Sequence, residues 1–167
     1  MITDKIEEMT LQNFNVSPEN YAKYNMCKHL LDVPHDFRLV FLHMPSHERF
    51  HLKHGLLNGW NDQKEEVDWC SITASEFTDE LLAAIRKGKI PYDAQKFVSP
   101  EILLVDDLQE LVGEATQTEF YRSILKKRLE SRKLTVLFSE VGMDHLRLIM
   151  RDEVIHLLKL GIKEELV

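Results

Sequence analysis

Two adjacent carboxylates at the end of an apolar run are the residues of this 167-residue chain best placed to do chemistry. Ile102-Leu-Leu-Val105 leads directly into Asp106 and Asp107, the pattern of a strand buried on both faces of a parallel sheet. The carboxyl ends of such strands are where α/β sheets hold ligands. An Asp there can hold Mg²⁺ while a neighbouring acid orients an attacking water. That role requires a phosphate-binding loop upstream, in which glycines expose bare amides, a lysine reaches the terminal phosphates and a hydroxyl ligates the metal. The matching segment, His43-Met-Pro-Ser-His-Glu-Arg-Phe50, contains no glycine. Asp106 and Asp107 are therefore expected to cap the end of the strand and bond nearby backbone amides, with a Mg²⁺ site as the alternative, since without a bound phosphate two carboxylates hold Mg²⁺ poorly.

Other reactive residues carry weaker signals. His47, His51 and His54 recur at i, i+4 and i+7, one helix face on which Zn²⁺ or Ni²⁺ is geometrically possible. With His43 they form the densest histidine group, but no Glu stands between them as in H-E-x-x-H, so they are expected to be structural and no metal site is assigned. Ser46 and Cys27 lack the strained elbow or activated thiol that a nucleophile needs. Cys27 and Cys70 have no metal-type spacing and are expected to be reduced, buried thiols. No residue is assigned a catalytic role. The basic residues Lys126, Lys127, Arg128, Arg132 and Lys133 are expected to form a solvated face complementing a helix C-terminus. A nucleic acid or acidic partner there is the alternative, with no aromatic residues interleaved to support it.

The length suits one domain able to bury a sizeable core. Hydrophobic residues make up 44% and charged residues 29%, and no apolar run reaches the roughly 20 residues of a membrane span, so a cytoplasmic protein is expected. A net charge of −7 works against sequence-independent duplex binding, which neutralises phosphates with Lys and Arg.

The elements that must position Asp106 and Asp107 alternate. Residues 1–16 read as a lead-in from which Leu11, Phe14 and Val16 pack down, and 17–167 as the domain. Ser17-Pro18-Glu19 starts a helix carrying Tyr21, Tyr24, Cys27 and Leu31 and stopping before Pro34. Strands are predicted at 38–43, 67–72, 102–105 and 134–138. Between them fall a helix over 47–60, a capped helix from Thr73-Ala-Ser-Glu76 with Phe77, Leu81, Leu82 and Ile85 on its core stripe, and another from Thr116-Gln-Thr-Glu119 carrying Phe120, Ile124, Leu125 and Leu129. One or two helices cover 144–158, and 162–167 are expected to add an edge strand. This β-α alternation implies a three-layer α/β/α domain with a mostly parallel five-stranded sheet.

In this order the segments resemble the nucleotide-binding core of the AAA+ replication ATPases: the bacterial initiator DnaA, its regulator Hda and the DnaC-type helicase loaders. Leu11-Gln-Asn-Phe-Asn-Val16 is similar to their "F-x-N-F-x-V" opening, Ile72 to Leu81 to the segment after their second strand, and Ile102 to Leu111 to the Walker B region. Thr116-Gln-Thr-Glu-Phe120 and the run from Leu129 to Leu137 continue the likeness. The resemblance implies a P-loop NTPase-like fold.

Laid on the family's G-x-x-x-x-G-K-[ST]-H-L, Glu48 takes the place of the second glycine, Arg49 that of the lysine and Phe50 that of the hydroxyl residue. Glu140 follows the sensor 1 strand, Ile155 and Leu157 take the approximate arginine-finger positions with Arg151 out of register, and no C-terminal lid is expected. The resemblance therefore implies an inactive member, not an enzyme, for which neither ATP nor Mg²⁺ is expected as cofactor. It would act by protein contact with a replication initiator, helicase loader or replicative helicase, with self-association possible and nucleic-acid contact weak or indirect. The alternative is a weak ATP-binding or ATPase module that uses Arg49, Asp106 and Asp107.

Overall fold

The computed structural model describes residues 2–63 and 65–161, with the side chains of 2–4, 160 and 161 outside that description. Its elements follow as α1 (Ile2–Glu7), α2 (Tyr21–Asp32), β1 (Leu39–His43), α3 (Ser46–Asn61), β2 (Trp69–Thr73), α4 (Ala74–Arg86), α5 (Gln95–Val98), β3 (Ile102–Asp106), α6 (Glu114–Phe120), a π-helical turn (Tyr121–Leu125), α7 (Lys126–Glu130), β4 (Leu134–Ser139), α8 (Met143–Ile149) and α9 (Asp152–Gly161). The four strands pair in the order β1-β4-β3-β2, every pair parallel. The edge strand predicted at 162–167 lies outside the described residues.

Strand alternation divides the core. Leu39, Phe41, Leu103, Val105 and Leu137 face one layer, built from α4, the helices after β3, α8 and α9. Val40, Leu42, Leu104, Val136 and Phe138 face the other, where α2 and α3 contribute Cys27, Leu30, Leu52, Leu56 and Trp60. Both sheet faces are covered, which is why β3 tolerates four apolar residues in a row. The expected three-layer parallel architecture is the one found.

The lead-in joins this core. Leu11 and Phe14 are buried in the α2–α3 layer, whereas Val16, expected beside them, is exposed. A Cβ on Gly55 of α3 would stand 3.2 Å from the Leu11 backbone nitrogen, so the glycine lets the lead-in lie directly on the helix.

Local signals decide where helices begin. Thr73 and Glu76 form the predicted capping box at α4, and Gly88 ends that helix region at φ +68°. Ser17 and Asn20 exchange hydrogen bonds of 2.7 and 3.3 Å, but they close a turn ahead of α2. The predicted box at Thr116 and Glu119 does not form; the helix begins two residues before Thr116, at Glu114, after Gly113 at φ +94°.

Two predicted stripes are rotated. α2 buries Lys23, Cys27 and Leu30, leaving Tyr21 exposed, and α4 buries Phe77 and Leu81 but exposes Leu82 and Ile85. Each of these helices has more apolar residues than its core-facing side accepts. Periodicity alone does not choose among them.

Candidate functional site

β1 passes to α3 through only Met44 and Pro45. Met44 is buried and its amide donates to the Ser139 carbonyl at the end of β4 (3.0 Å), while the Arg49 amide already donates to Pro45 in helical fashion (3.0 Å). The segment that would have to curl around phosphates is thus a tight corner followed by regular helix. Pro45 removes one amide from it.

Arg49, one turn into α3, points at the end of β3. Its Nε donates to Asp106 Oδ1 (2.7 Å), Nη2 to Asp107 Oδ1 (2.6 Å) and Nη1 to the Met44 carbonyl (3.1 Å). One turn on, Lys53 Nζ donates to Asp106 Oδ2 (3.0 Å). Arg49 is 5% exposed and Asp106 6%. Two cations face two carboxylates in a nearly closed space, where the charge-assisted bonds are short and mutually satisfying.

The turn after β3 is shaped for this pairing. Asp107 adopts φ +54°, a left-handed conformation that Asp and Asn tolerate better than most residues. Its amide donates to Asp106 Oδ1 at 2.8 Å. Gln109 then ties the turn to β4. It donates to Asp107 Oδ1 (3.2 Å), and its Oε1 accepts from the Glu140 amide (3.0 Å) and the Ser139 hydroxyl (3.3 Å).

Glu48, at the would-be glycine position, reaches the other way. Its Oε1 accepts from Asn20 Nδ2 (3.2 Å) ahead of α2, and its charge partly offsets the burial that lowers the Lys23 pKa. Phe50 is half-exposed on the α3 surface and stacks edge-on with His54, ring centroids 4.5 Å apart.

The structure gives the two carboxylates partners other than the expected ones. Asp106 and Asp107 were expected to bond nearby amides; only the Asp107 amide does so, and the dominant partners are Arg49 and Lys53. Lys53 was missed, although its spacing of four from Arg49 was the available signal.

The basic cluster at 126–133 is corrected in one residue. Arg128 is 0% exposed, so it is no part of a solvated face. It donates to the carbonyls of Phe97, Val98, Pro100, Glu101 and Leu134, and its Nε to Thr135 Oγ1 at 2.9 Å. Burial pushes its pKa down to about 10.

Of the histidines, His51 Nε2 lies 2.9 Å from both the Thr10 carbonyl and Asn13 Oδ1, two acceptors, so that nitrogen carries the proton. The His54 pKa is lowered by burial and by Lys53, against a smaller upward pull from Asp106. No group of three His, Cys, Asp or Glu side chains among the described residues is arranged to hold a metal ion. Cys27 is fully buried and its thiol is pushed up to about 12; the Cys70 thiol is raised by the same cause.

At the far end of the chain, Ile155 is buried and Leu157 packs against the core, while Arg151 pairs with Glu114 and Glu153. Gln117, another residue the sequence did not flag, fixes that corner. It donates to the Leu111 and Ile149 carbonyls (2.8 and 2.9 Å) and accepts from the Arg151 amide (2.8 Å).

A profile described as the bacterial DnaA ATPase domain matches residues 6–164. The chromosomal replication initiator DnaA of Bdellovibrio bacteriovorus is 29% identical over 138 residues, which covers 80% of this chain and 29% of that protein. The chain therefore spans less than a third of the length of that relative. Among solved structures, domain III of the Thermotoga maritima initiator superposes with a TM-score of 0.82 at 23% identity, covering 92% of this chain and 65% of the other. The DnaA structure bound to AMPPCP and single-stranded DNA gives 0.81 at 24%, over 93% and 48%. A DnaC helicase loader gives 0.70 at 13%, over 94% and 95%.

Proposed function

The chain belongs to the family of bacterial DnaA ATPase domains, within the AAA+ replication proteins, and we propose that it is a member that has given up Mg-nucleotide and works by contact with a replication initiator, helicase loader or replicative helicase. The observation that carries this reading is the clamp of Arg49 on both Asp106 and Asp107.

A Mg²⁺-triphosphate site needs free carboxylate oxygens for the metal and its waters, and free amides for the phosphates. In this chain both Asp106 oxygens and Oδ1 of Asp107 already accept bonds from Arg49, Lys53, Gln109 or the backbone. The β1–α3 corner offers helix where a loop is required. The side chains present do not suit the nucleotide, and no step of hydrolysis is assigned to them.

One solved neighbour was captured with AMPPCP and single-stranded DNA. For this chain the corner argues against the first ligand, and the −7 charge makes the second a weak or indirect contact. What remains intact is the domain's shape, which is what a protein partner would read.

Calorimetry with ATP and Mg²⁺ tests the proposal. The expected result is no binding heat at millimolar nucleotide. Micromolar affinity, or hydrolysis abolished by Asp106→Asn, would establish instead an ATP-using module built on Arg49, Asp106 and Asp107. A pull-down from the source cells is expected to return an initiator, loader or helicase, and repeated failure to do so overturns the contact reading.

A further inference from the structure

The outer face of α4 does not behave like the rest of the surface. The inner face, Ala74, Phe77 and Leu81, is buried. Leu82 and Ile85 lie one turn apart on the outside, 40% and 47% exposed, and Ile90 just past the helix is 70% exposed. Every residue from Ile85 to Pro91 is exposed. Contiguous exposed apolar surface marks a contact site, and Leu82 and Ile85 are neighbours along one helix face.

The charges at the C-terminal end of this face, beside Ile85 and Ile90, are basic. Arg86, Lys87 and Lys89 stand among these residues, residues 85–91 contain no acid, and the chain as a whole carries −7. None of the three cations makes a side-chain hydrogen bond or ion pair with a described residue. The acids on the same helix are spoken for or lie a turn away. Glu80 pairs with Lys96 and accepts from Tyr92, and Asp79 lies toward the N-terminal end, one turn before Leu82. The platform itself is firm, because the capping box holds one end of α4 and the amides of Lys87, Gly88 and Lys89 bond the carbonyls of Ala83, Ile85 and Ala84 at the other.

We propose that Leu82, Ile85 and Ile90, ringed by Arg86, Lys87 and Lys89, form a docking surface for an acidic amphipathic helix of a partner protein. The aliphatic residues would meet the apolar stripe of that helix, and the cations would meet its carboxylates, setting orientation and on-rate. Charge complementarity selects the partner: an unopposed cluster of three cations on an acidic protein attracts an acidic segment. Single-stranded nucleic acid fits less well, since it is held by aromatic stacking platforms and this face has none. A membrane surface calls for a larger basic cluster and a broader apolar face. The proposal shares with the preceding section the premise of a protein partner but does not involve the β1–α3 corner.

To test it, p-benzoylphenylalanine is placed at position 82 of the full chain in its source cells and, as a control, at position 33, where Val33 is also exposed. Position 82 is expected to cross-link to a protein segment rich in Glu or Asp with aliphatic residues at helical spacing, and position 33 is not. That segment, made as a labelled peptide, is then titrated with the purified protein. Reversing Arg86, Lys87 and Lys89 to Glu, or changing Leu82 and Ile85 to Ala, should each weaken binding at least tenfold in a protein that still melts cooperatively.

Adducts with nucleic acid, lipid or a second copy of this chain overturn the proposal. So do the same adducts from both positions, no adduct at 82, or binding that survives the charge reversal. If pull-downs still return a replication protein while position 82 captures nothing, this surface is wrong and the contact function stands.

Discussion

Two arginines are buried at opposite ends of the same parallel sheet, and they are buried for different reasons. Arg49 sits at the carboxyl ends of β1 and β3 and faces two carboxylates, with Lys53 beside it. Arg128 sits where β3 and β4 begin and faces five carbonyls and a hydroxyl, with no ion pair among the described residues. At the first end, a cluster of opposite charges sits at the strand ends where folds of this kind present ligands. At the second, one planar fork of donors gathers the loop from α5 into β3 and the start of β4, a role for which guanidinium geometry matters more than charge. Removing Arg49 opens a charged site; removing Arg128 unties a backbone.

The largest expected effect tests the second half of that contrast. Arg128→Leu leaves the carbonyls of a buried corner without donors, and chemical denaturation should report a loss of about 5 kcal/mol, or failure to fold. Arg128→Lys should lose most of that as well, because three donors on a flexible stem cannot reach six acceptors. A cost for Arg128→Lys below about 1 kcal/mol would erase the distinction between the two arginines.

Arg49→Ala should cost about 3 kcal/mol by denaturant melts, as it strands buried carboxylates. The sharper measurement is the double variant Arg49→Ala with Asp106→Asn. Neutralising the carboxylate should recover about 1–2 kcal/mol relative to the sum of the single changes. Strict additivity would mean that the two side chains do not act as one unit.

Arg49→Lys keeps the charge and should cost only about 1 kcal/mol in the same assay. Asp107→Asn should cost less still, about 0.5 kcal/mol, since Asn accepts the left-handed backbone and the pair with Arg49 is partly open to solvent.

The smallest effect concerns the thiols. Burial raises both, Cys27 to about 12, so at mildly alkaline pH the reactive thiolate is scarce at each. The half-buried Cys70 should be alkylated slowly by iodoacetamide, and Cys27 only when the domain unfolds. Arg128→Leu, which loosens the sheet end near Cys70, should speed Cys70 first, whereas Arg49→Ala should not discriminate between them. Equal acceleration by both variants would show that the two sheet ends are not mechanically separate.

Much of the scaffold was legible because its signals are local. The apolar run ending at Asp106, the capping box at Thr73, Pro34 after α2 and the four strands all follow from neighbouring residues. Where a signal was local but another start was equally good, the reading slipped. Gly113 and Glu114 won over Thr116 and Glu119, since a glycine at positive φ turns the chain into the helix earlier.

The site was half legible. Arg49, Asp106 and Asp107 were named as a group because they fall on motif positions, but whether they would hold a ligand or one another depends on side chains from α3 and β3 meeting across 57 residues of sequence.

From its order of residues alone the chain specified a parallel three-layer domain, a carboxylate pair at the end of its central apolar strand and a glycine-free segment between the first strand and the helix after it. Each of these rests on periodicity, capping or residue size within a few positions. Only the folded molecule decided that Arg49 is spent on those carboxylates, that Arg128 is buried against carbonyls, and that Leu82 and Ile85 face water. Those outcomes turn on how many apolar and charged groups compete for the same limited interior, a competition between segments far apart in the chain.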